Sequence, residues 1–300
     1  MAAQRPVVIG VDLSGADVTQ RSLFAACEQA VSDSSIAIRC YHSSLLPTLS
    51  SRIESRHCPE VISMEDEALS AIRKKKSSSL VQAVQDLKKG GISALVTCAN
   101  TGAVTAAAVV YLKRFLGLHH PPLIAALPLP CGQVVALDMG AFVTATGEDL
   151  VAYARLGSAY ATICLGISRP RVGLLNIGKE TGRGTIELRQ ADEILRSTGL
   201  NDSSYIGNVE PEDVFSGKVD VVVTSGFAGN IFLKTAETVV KLFSPTSYDP
   251  KGALLGGVRG IVIKCHGAGS GQSLVAAIAQ ARVAVQQKIS ESLEALFLKS

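Results

Sequence analysis

The chain has 300 residues, 47% of them hydrophobic, 18% charged and 5% aromatic, with 29 Lys+Arg against 26 Asp+Glu for a net charge of +3. At roughly 150 residues per domain, that length fits two domains or one large α/β domain, and a charged fraction below the usual value of about 25% in so apolar a chain argues against disorder. A small positive excess with no Trp lacks the basic, aromatic-studded face of a nucleic-acid binder.

The apolar runs Val104–Leu112 and Ser273–Ala281 stop at Lys113 and Arg282, well short of the ~20 residues that span a bilayer. Arg5 and Pro6 precede a short apolar run that soon meets Asp12, so no secretory leader is expected. These features predict a cytoplasmic protein. The 7 cysteines are widely spaced with no CxxC pair, and the 5 histidines form no HExxH or HxH. No metal site and no cofactor are therefore expected.

In chain order, Val7–Asp12 reads as a strand, residues 19–32 as a helix and residues 35–41 as a second strand, with a possible third at 60–63. Residues 65–89 read as helix, broken near 77–79. Residues 92–98 read as strand and 101–116 as helix. Two consecutive strands, 122–127 and 133–138, have no helix between them, which suggests an antiparallel pair and a sub-domain boundary near 120–145. Residues 148–166 read as helix, 171–176 as strand, 185–198 as helix, and 205–207 and 219–224 as strands. Gly226–Phe243 reads as helix and 260–264 as the last strand. Leu274, Ile278, Ala281, Val285, Ile289, Leu293 and Leu296, in steps of three and four, mark one face of a single C-terminal helix. Repeated βα alternation predicts a three-layer α/β/α unit with a mainly parallel sheet.

In such sheets ligands bind beyond the carboxyl ends of the strands. Nearly every strand here ends in a loop with glycine and a polar residue: 12–17, 99–103, 137–141, 176–184, 224–230 and 265–271. Glycine lets backbone approach a ligand, and the helix that follows offers free N–H groups to an anion. No GxxxxGK[ST], GxGxxG or GxSxG pattern is present, which disfavours common nucleotide and serine-hydrolase sites. The run Arg73–Lys76 followed by Ser77–Ser79 makes an anion-friendly corner at a helix start.

Taken in order, AIRKKKSSSL (71–80), ANTGA (99–103), LDMGA (137–141), LLNIGKE (174–180), SGFAGN (225–230) and ALLGGVRGIVIKCHGA (253–268) resemble bacterial phosphate acyltransferase over nearly the whole chain. That family makes acyl phosphate from acyl-[acyl-carrier-protein] for phospholipid synthesis. The resemblance implies an isopropylmalate-dehydrogenase-like fold, a homodimer in the cytoplasm with peripheral membrane contact, and a second enzyme that passes the acyl group to glycerol 3-phosphate. Phe142, Ser225, Ala228, Arg183 and Cys265 stand where the family has Asn, Asp, Thr, Lys and Ser, and the segment at 244–251 is short.

Attack of phosphate on a thioester needs positioning and an oxyanion cradle more than a strong base. On that reading Lys75, Lys76, Ser77 and Ser78 hold phosphate. Asn100, Asn176 and Asn230 orient the thioester or stabilise the oxyanion, and Arg183 and His266 serve the leaving thiol. Thr101, Gly102, Asp138, Gly140, Gly178, Gly226, Gly229, Lys264 and Gly267 line the substrate site. Two alternatives stay open. One is a family member that binds carrier protein or membrane without turnover. The other is a metal- and NAD-dependent dehydrogenase of the same fold, disfavoured by the lack of an Asp cluster in the 220s.

Overall fold

The computed structural model describes residues 6–15, 18–44, 46, 50–129, 132–243, 252–265 and 271–299. In chain order the elements are β1 (Val7–Asp12), α1 (Gln20–Ala30), β2 (Ile36–His42), β3 (Ile53–His57), α2 (Ala68–Lys74), α3 (Ser79–Lys88), β4 (Ala94–Thr97), α4 (Thr101–Leu112), β5 (Leu123–Leu129), β6 (Gly132–Leu137) and α5 (Gly147–Leu165). There follow β7 (Arg171–Leu175), α6 (Ile186–Thr198), β8 (Ser204–Val209), α7 (Pro211–Phe215), β9 (Val221–Val223), α8 (Gly226–Phe243), β10 (Ala253–Leu255), β11 (Val262–Lys264), α9 (Gly271–Gln286) and α10 (Ile289–Phe297). The chain divides into two compact units, Met1–Lys113 with Asp249–Ser290, and Arg114–Tyr248 with Glu291–Ser300.

In the first unit the strands run β3-β2-β1-β4-β11-β10, all neighbours parallel except β10, which is antiparallel to β11. Helices α2, α3 and α4 pack on one another and α1 packs on α9, and both sets contact the strands. These are the two outer layers of an α/β/α sandwich. Continuous apolar strands such as Ala94-Leu95-Val96, none of them exposed, are what burial on both faces demands. β3 carries Glu54, Arg56 and His57 and keeps most of its residues in contact with water, as an edge strand can.

In the second unit the order is β5-β6-β9-β7-β8. β5 and β6 are antiparallel, with Leu129 opposite Gly132, so the hairpin read from the sequence is present. The remaining pairs are parallel. Helix α5 lies on β6, β7 and β9. Its start is fixed by a reciprocal cap between Thr146 and Asp149, which satisfies backbone donors at both residues.

Two expectations are corrected, and two short elements went unread. The third strand is Ile53–His57, and residues 60–63 are not a strand, since Glu60 forms only an isolated bridge with Ser78. The C-terminal helix is two helices. Lys288 adopts φ 50°, a left-handed backbone that a continuous right-handed helix excludes, so α9 ends at Gln286 and α10 begins at Ile289. The short elements α7 and β10 carried too little periodicity to be read, although Pro211 at the first helical turn is a start signal.

Gly157 in α5 shows how closely helix and sheet approach. A Cβ there would lie 2.6 Å from Val221 Cγ1 and 2.8 Å from Leu137 Cδ2. Gly157→Ala gains about 1 kcal/mol of helix propensity but overpacks the layer at a cost of about 1–3 kcal/mol. The expected result is a lower urea midpoint with an unchanged m-value, and an equal or higher midpoint would refute the contact.

Candidate active site

In the second unit the loop after β6 is organised by one side chain. Asp138 is fully buried. Its Oδ1 accepts from the N–H groups of Leu123 (2.9 Å), Gly140 (3.0 Å) and Ala141 (2.9 Å), and its Oδ2 from Phe142 (3.0 Å). Burial pushes the carboxyl above the usual range, and these N–H bonds only partly offset it. The start of α8 lies directly on this loop. A Cβ on Gly226 would meet Phe142 O at 2.1 Å and one on Gly229 would meet Asp138 O at 2.0 Å, so only glycine permits the approach. Asn230, half-buried, sits against Gly140, whose added Cβ would lie 3.3 Å from it. Asp138, Gly140, Gly226, Gly229 and Asn230 are thus brought together as a cradle of backbone and one amide.

The loop after β7 is tied largely to itself. Asn176 accepts from the Ile177 N–H and donates to Arg183 O. Arg183 is exposed and ion-pairs with Glu180 at 3.2 Å. Gly178 also lies against Glu180, with an added Cβ 2.7 Å from Oε2. Lys179 is held by Asp213 at 2.8 Å. Both ends of the Asn176 amide are therefore engaged within the loop.

In the first unit the corner at 75–79 is already occupied by protein groups. Lys75 Nζ donates to Asp66 (2.6 Å) and Val61 O (2.9 Å). The Ser77 N–H donates to Glu60 Oε2 at 2.8 Å, and the buried Ser78 hydroxyl donates to Lys75 O at 2.7 Å. Lys76 is exposed. Asn100 caps α4 through Ala103 N–H and donates to Met64 O. Thr101 and Gly102 open α4, and an added Cβ on Gly102 would lie 3.2 Å from Asn100 Oδ1. Lys264, at the end of β11, is buried and donates to Cys98 O and Cys265 O. Cys98 and Cys265 are both buried free thiols. His266 and Gly267 lie outside the described residues.

Asp12, at the end of β1, is the counterpart of Asp138. It is buried and accepts from Ser14 N–H (3.1 Å) and the Thr97 hydroxyl (3.0 Å). Burial raises its carboxyl to about 6, against hydrogen bonds from Ser79, Ser14 and Thr97 and the charge of Lys264.

One pair escaped the sequence reading. His120 Nδ1 donates to the buried Asp149 carboxylate at 2.9 Å, and the His120 ring lies 4.6 Å from that of Phe142. Burial raises the Asp149 carboxyl, but the Thr146 N–H, His120 and the Thr146 hydroxyl together hold it below the usual range. With Nδ1 held by Asp149, the orientation of the ring is set. The two residues are 29 apart in the chain, so nothing local joins them. Only the Thr146–Asp149 cap was legible. Among the described residues no three His, Cys, Asp or Glu side chains cluster as metal ligands.

Mostly parallel strands with glycine-bearing loops at their carboxyl ends make an α/β scaffold that solved structures of more than one activity share. The fold resembles a branched-chain phosphotransacylase from Enterococcus faecalis (TM-score 0.68, 15% identity, 92% of this chain and 99% of that one). It also resembles a putative 4-hydroxythreonine-4-phosphate dehydrogenase from Salmonella typhimurium (TM-score 0.53, 13% identity, 93% and 99%). Residues 7–247 match the family described as fatty acid synthesis protein, and a phosphate acyltransferase from Geobacillus sp. is 35% identical over 95% of this chain and 97% of its own. The chain belongs to this phosphate acyltransferase family.

A carboxyl that holds its proton more tightly in the folded than in the unfolded state gives stability that is lost as pH rises. For Asp12 the window runs from the ordinary 3.8 to about 6, worth about 3 kcal/mol. Unfolding free energy measured against pH should therefore fall for the wild type relative to Asp12→Asn across that window and run parallel above it. Curves parallel throughout would show that Asp12 is not perturbed.

Proposed function

We propose that the protein transfers an acyl group from a thioester to inorganic phosphate. A phosphate oxygen adds to the carbonyl carbon, the C–S bond breaks, and the proton of hydrogen phosphate ends on the departing thiolate. The products are an acyl phosphate and a thiol. The observation that carries this reading is a relationship to phosphate acyltransferases that runs almost the whole length of both chains. It is supported by strand-end loops rich in backbone N–H groups and amides, the equipment for stabilising an oxyanion.

The donor we assign is acyl-[acyl-carrier-protein], and the product feeds phospholipid synthesis through a second enzyme acting on glycerol 3-phosphate. The family description as a fatty acid synthesis protein favours that donor class. Within the second unit, Asn230 and the backbone around Gly140 are the oxyanion donors. Lys75, Ser77 and Ser78 are less available to phosphate than the sequence suggests, since their donors have protein acceptors. A cytoplasmic homodimer with peripheral membrane contact completes the proposal. Among the described residues no helix is long and apolar enough to cross a membrane.

The engaged amides of Asn100 and Asn176 favour one competing reading, binding of acyl carrier protein without turnover. Incubation with acyl-carrier thioester and labelled phosphate separates the two. The expected outcome is acyl phosphate and free carrier thiol in equal amounts. Carrier binding with no acyl phosphate would establish the competing reading. Asn230→Ala should lower kcat/KM by about 100-fold, the usual loss for one oxyanion donor, and an unchanged value would remove Asn230 from that role.

A further inference from the structure

A second polar constellation lies in the second unit, away from the loops at the strand carboxyl ends. On α5, Arg155, Ser158 and Thr162 stand three and four residues apart and so share one helix face. With the turn at Leu200–Ser203 they line a cavity of about 60 Å³. The cavity is at the starting ends of the strands. Ser204 N–H, at the first residue of β8, donates to Pro170 O just before β7, and the Thr162 hydroxyl donates to Ile167 O.

Two donors here lack acceptors. Arg155 Nε is buried and makes no hydrogen bond. Guanidinium is donor-only, and although Arg155 as a whole is half-buried, a buried N–H without an acceptor is disfavoured. The buried hydroxyls of Ser158 and Ser203 hydrogen-bond to one another. Only one of them donates in that bond, so the other hydroxyl proton is available to a ligand. Asp202 lines the same cavity but is exposed, and it forms no ion pair with Arg155. Its charge at the rim disfavours anions of high charge.

We propose that this cavity is a binding site for one small oxyanion, a carboxylate or a phosphate, held by Arg155 Nε and the Ser158–Ser203 pair. A water needs roughly 10–15 Å³ of such space, so the volume corresponds to about four waters. It admits an ion the size of phosphate or acetate and excludes a nucleotide or an acyl chain. Its place at the strand starts separates it from the substrate loops, and the inference does not depend on the acyl-transfer reading.

The test follows the Arg155 Nε–H resonance of the full chain by NMR, assigned by its loss in Arg155→Lys. Inorganic phosphate and acetate are titrated separately against sodium chloride at matched ionic strength. Reading Arg155 itself keeps phosphate bound in the substrate loops from being mistaken for this site. The expected result is a saturable shift with at least one of the two, roughly tenfold tighter than any response to chloride. Saturation by phosphate alone assigns a tetrahedral anion, by acetate alone a carboxylate, and by both a general oxyanion site. A shift no larger than that with chloride for either anion would show a cavity that holds only water and would overturn the inference. Should Arg155→Lys fold poorly, the loss of the same resonance in Arg155→Gln supplies the assignment, and the titration itself is read on the wild type.

Discussion

A single buried carboxylate holds together the loop on which the second unit's candidate site depends. Asp138 accepts main-chain N–H bonds from Leu123, Gly140, Ala141 and Phe142, so it links the start of β5 to the turn after β6. A chain leaving a buried parallel strand has N–H groups with no ladder partner, and burying them unpaired is costly. A carboxylate has acceptor capacity enough to satisfy several at once. With the turn so shaped, α8 can approach until Gly226 and Gly229 touch its backbone, and Asn230 is carried to the side of Gly140.

The first unit meets the same constraint at the end of β1. There Asp12 accepts from the Ser14 N–H and from Thr97 on the neighbouring strand, with Lys264 contributing opposite charge nearby. Recurrence of this arrangement in two sheets reflects a property of parallel strands. Their carboxyl ends gather at one edge, and the turns there must be held open for ligands without leaving buried donors unpaired. Burial raises both carboxyls, so each site gives up some stability to keep its loop in place.

The apolar excess in the composition has two destinations. Strands such as Val221–Val223, fully buried, take the larger share because helices cover both faces of the sheet. Helix α8 takes another. Phe227, Ile231, Val239, Leu242 and Phe243 on it remain exposed, the last at 82%.

Much of the fold was legible because its signals are local. Alternation of short apolar runs with helical periods, the glycine turns and the strand pair at β5–β6 all follow from residues a few positions apart. The readings that failed depended on longer-range facts. Residues 53–57 were too polar to read as a strand, yet the edge of a sheet accepts them. The C-terminal pattern kept helical spacing across Lys288, where the backbone turns left-handed.

The candidate site divides in the same way. Sequence alone determined that polar, glycine-bearing loops would follow the strands, since turn and cap chemistry is written in neighbouring residues. Only the tertiary structure decided which polar groups face a ligand and which face one another. Lys75 is neutralised by Asp66, and Ser77 is met by Glu60. His120 is joined to Asp149 across 29 positions, and Arg155 is left with a buried nitrogen that has no acceptor. Hydrogen bonds and ion pairs act within a few ångströms, and distance in space is set by packing, not by order along the chain.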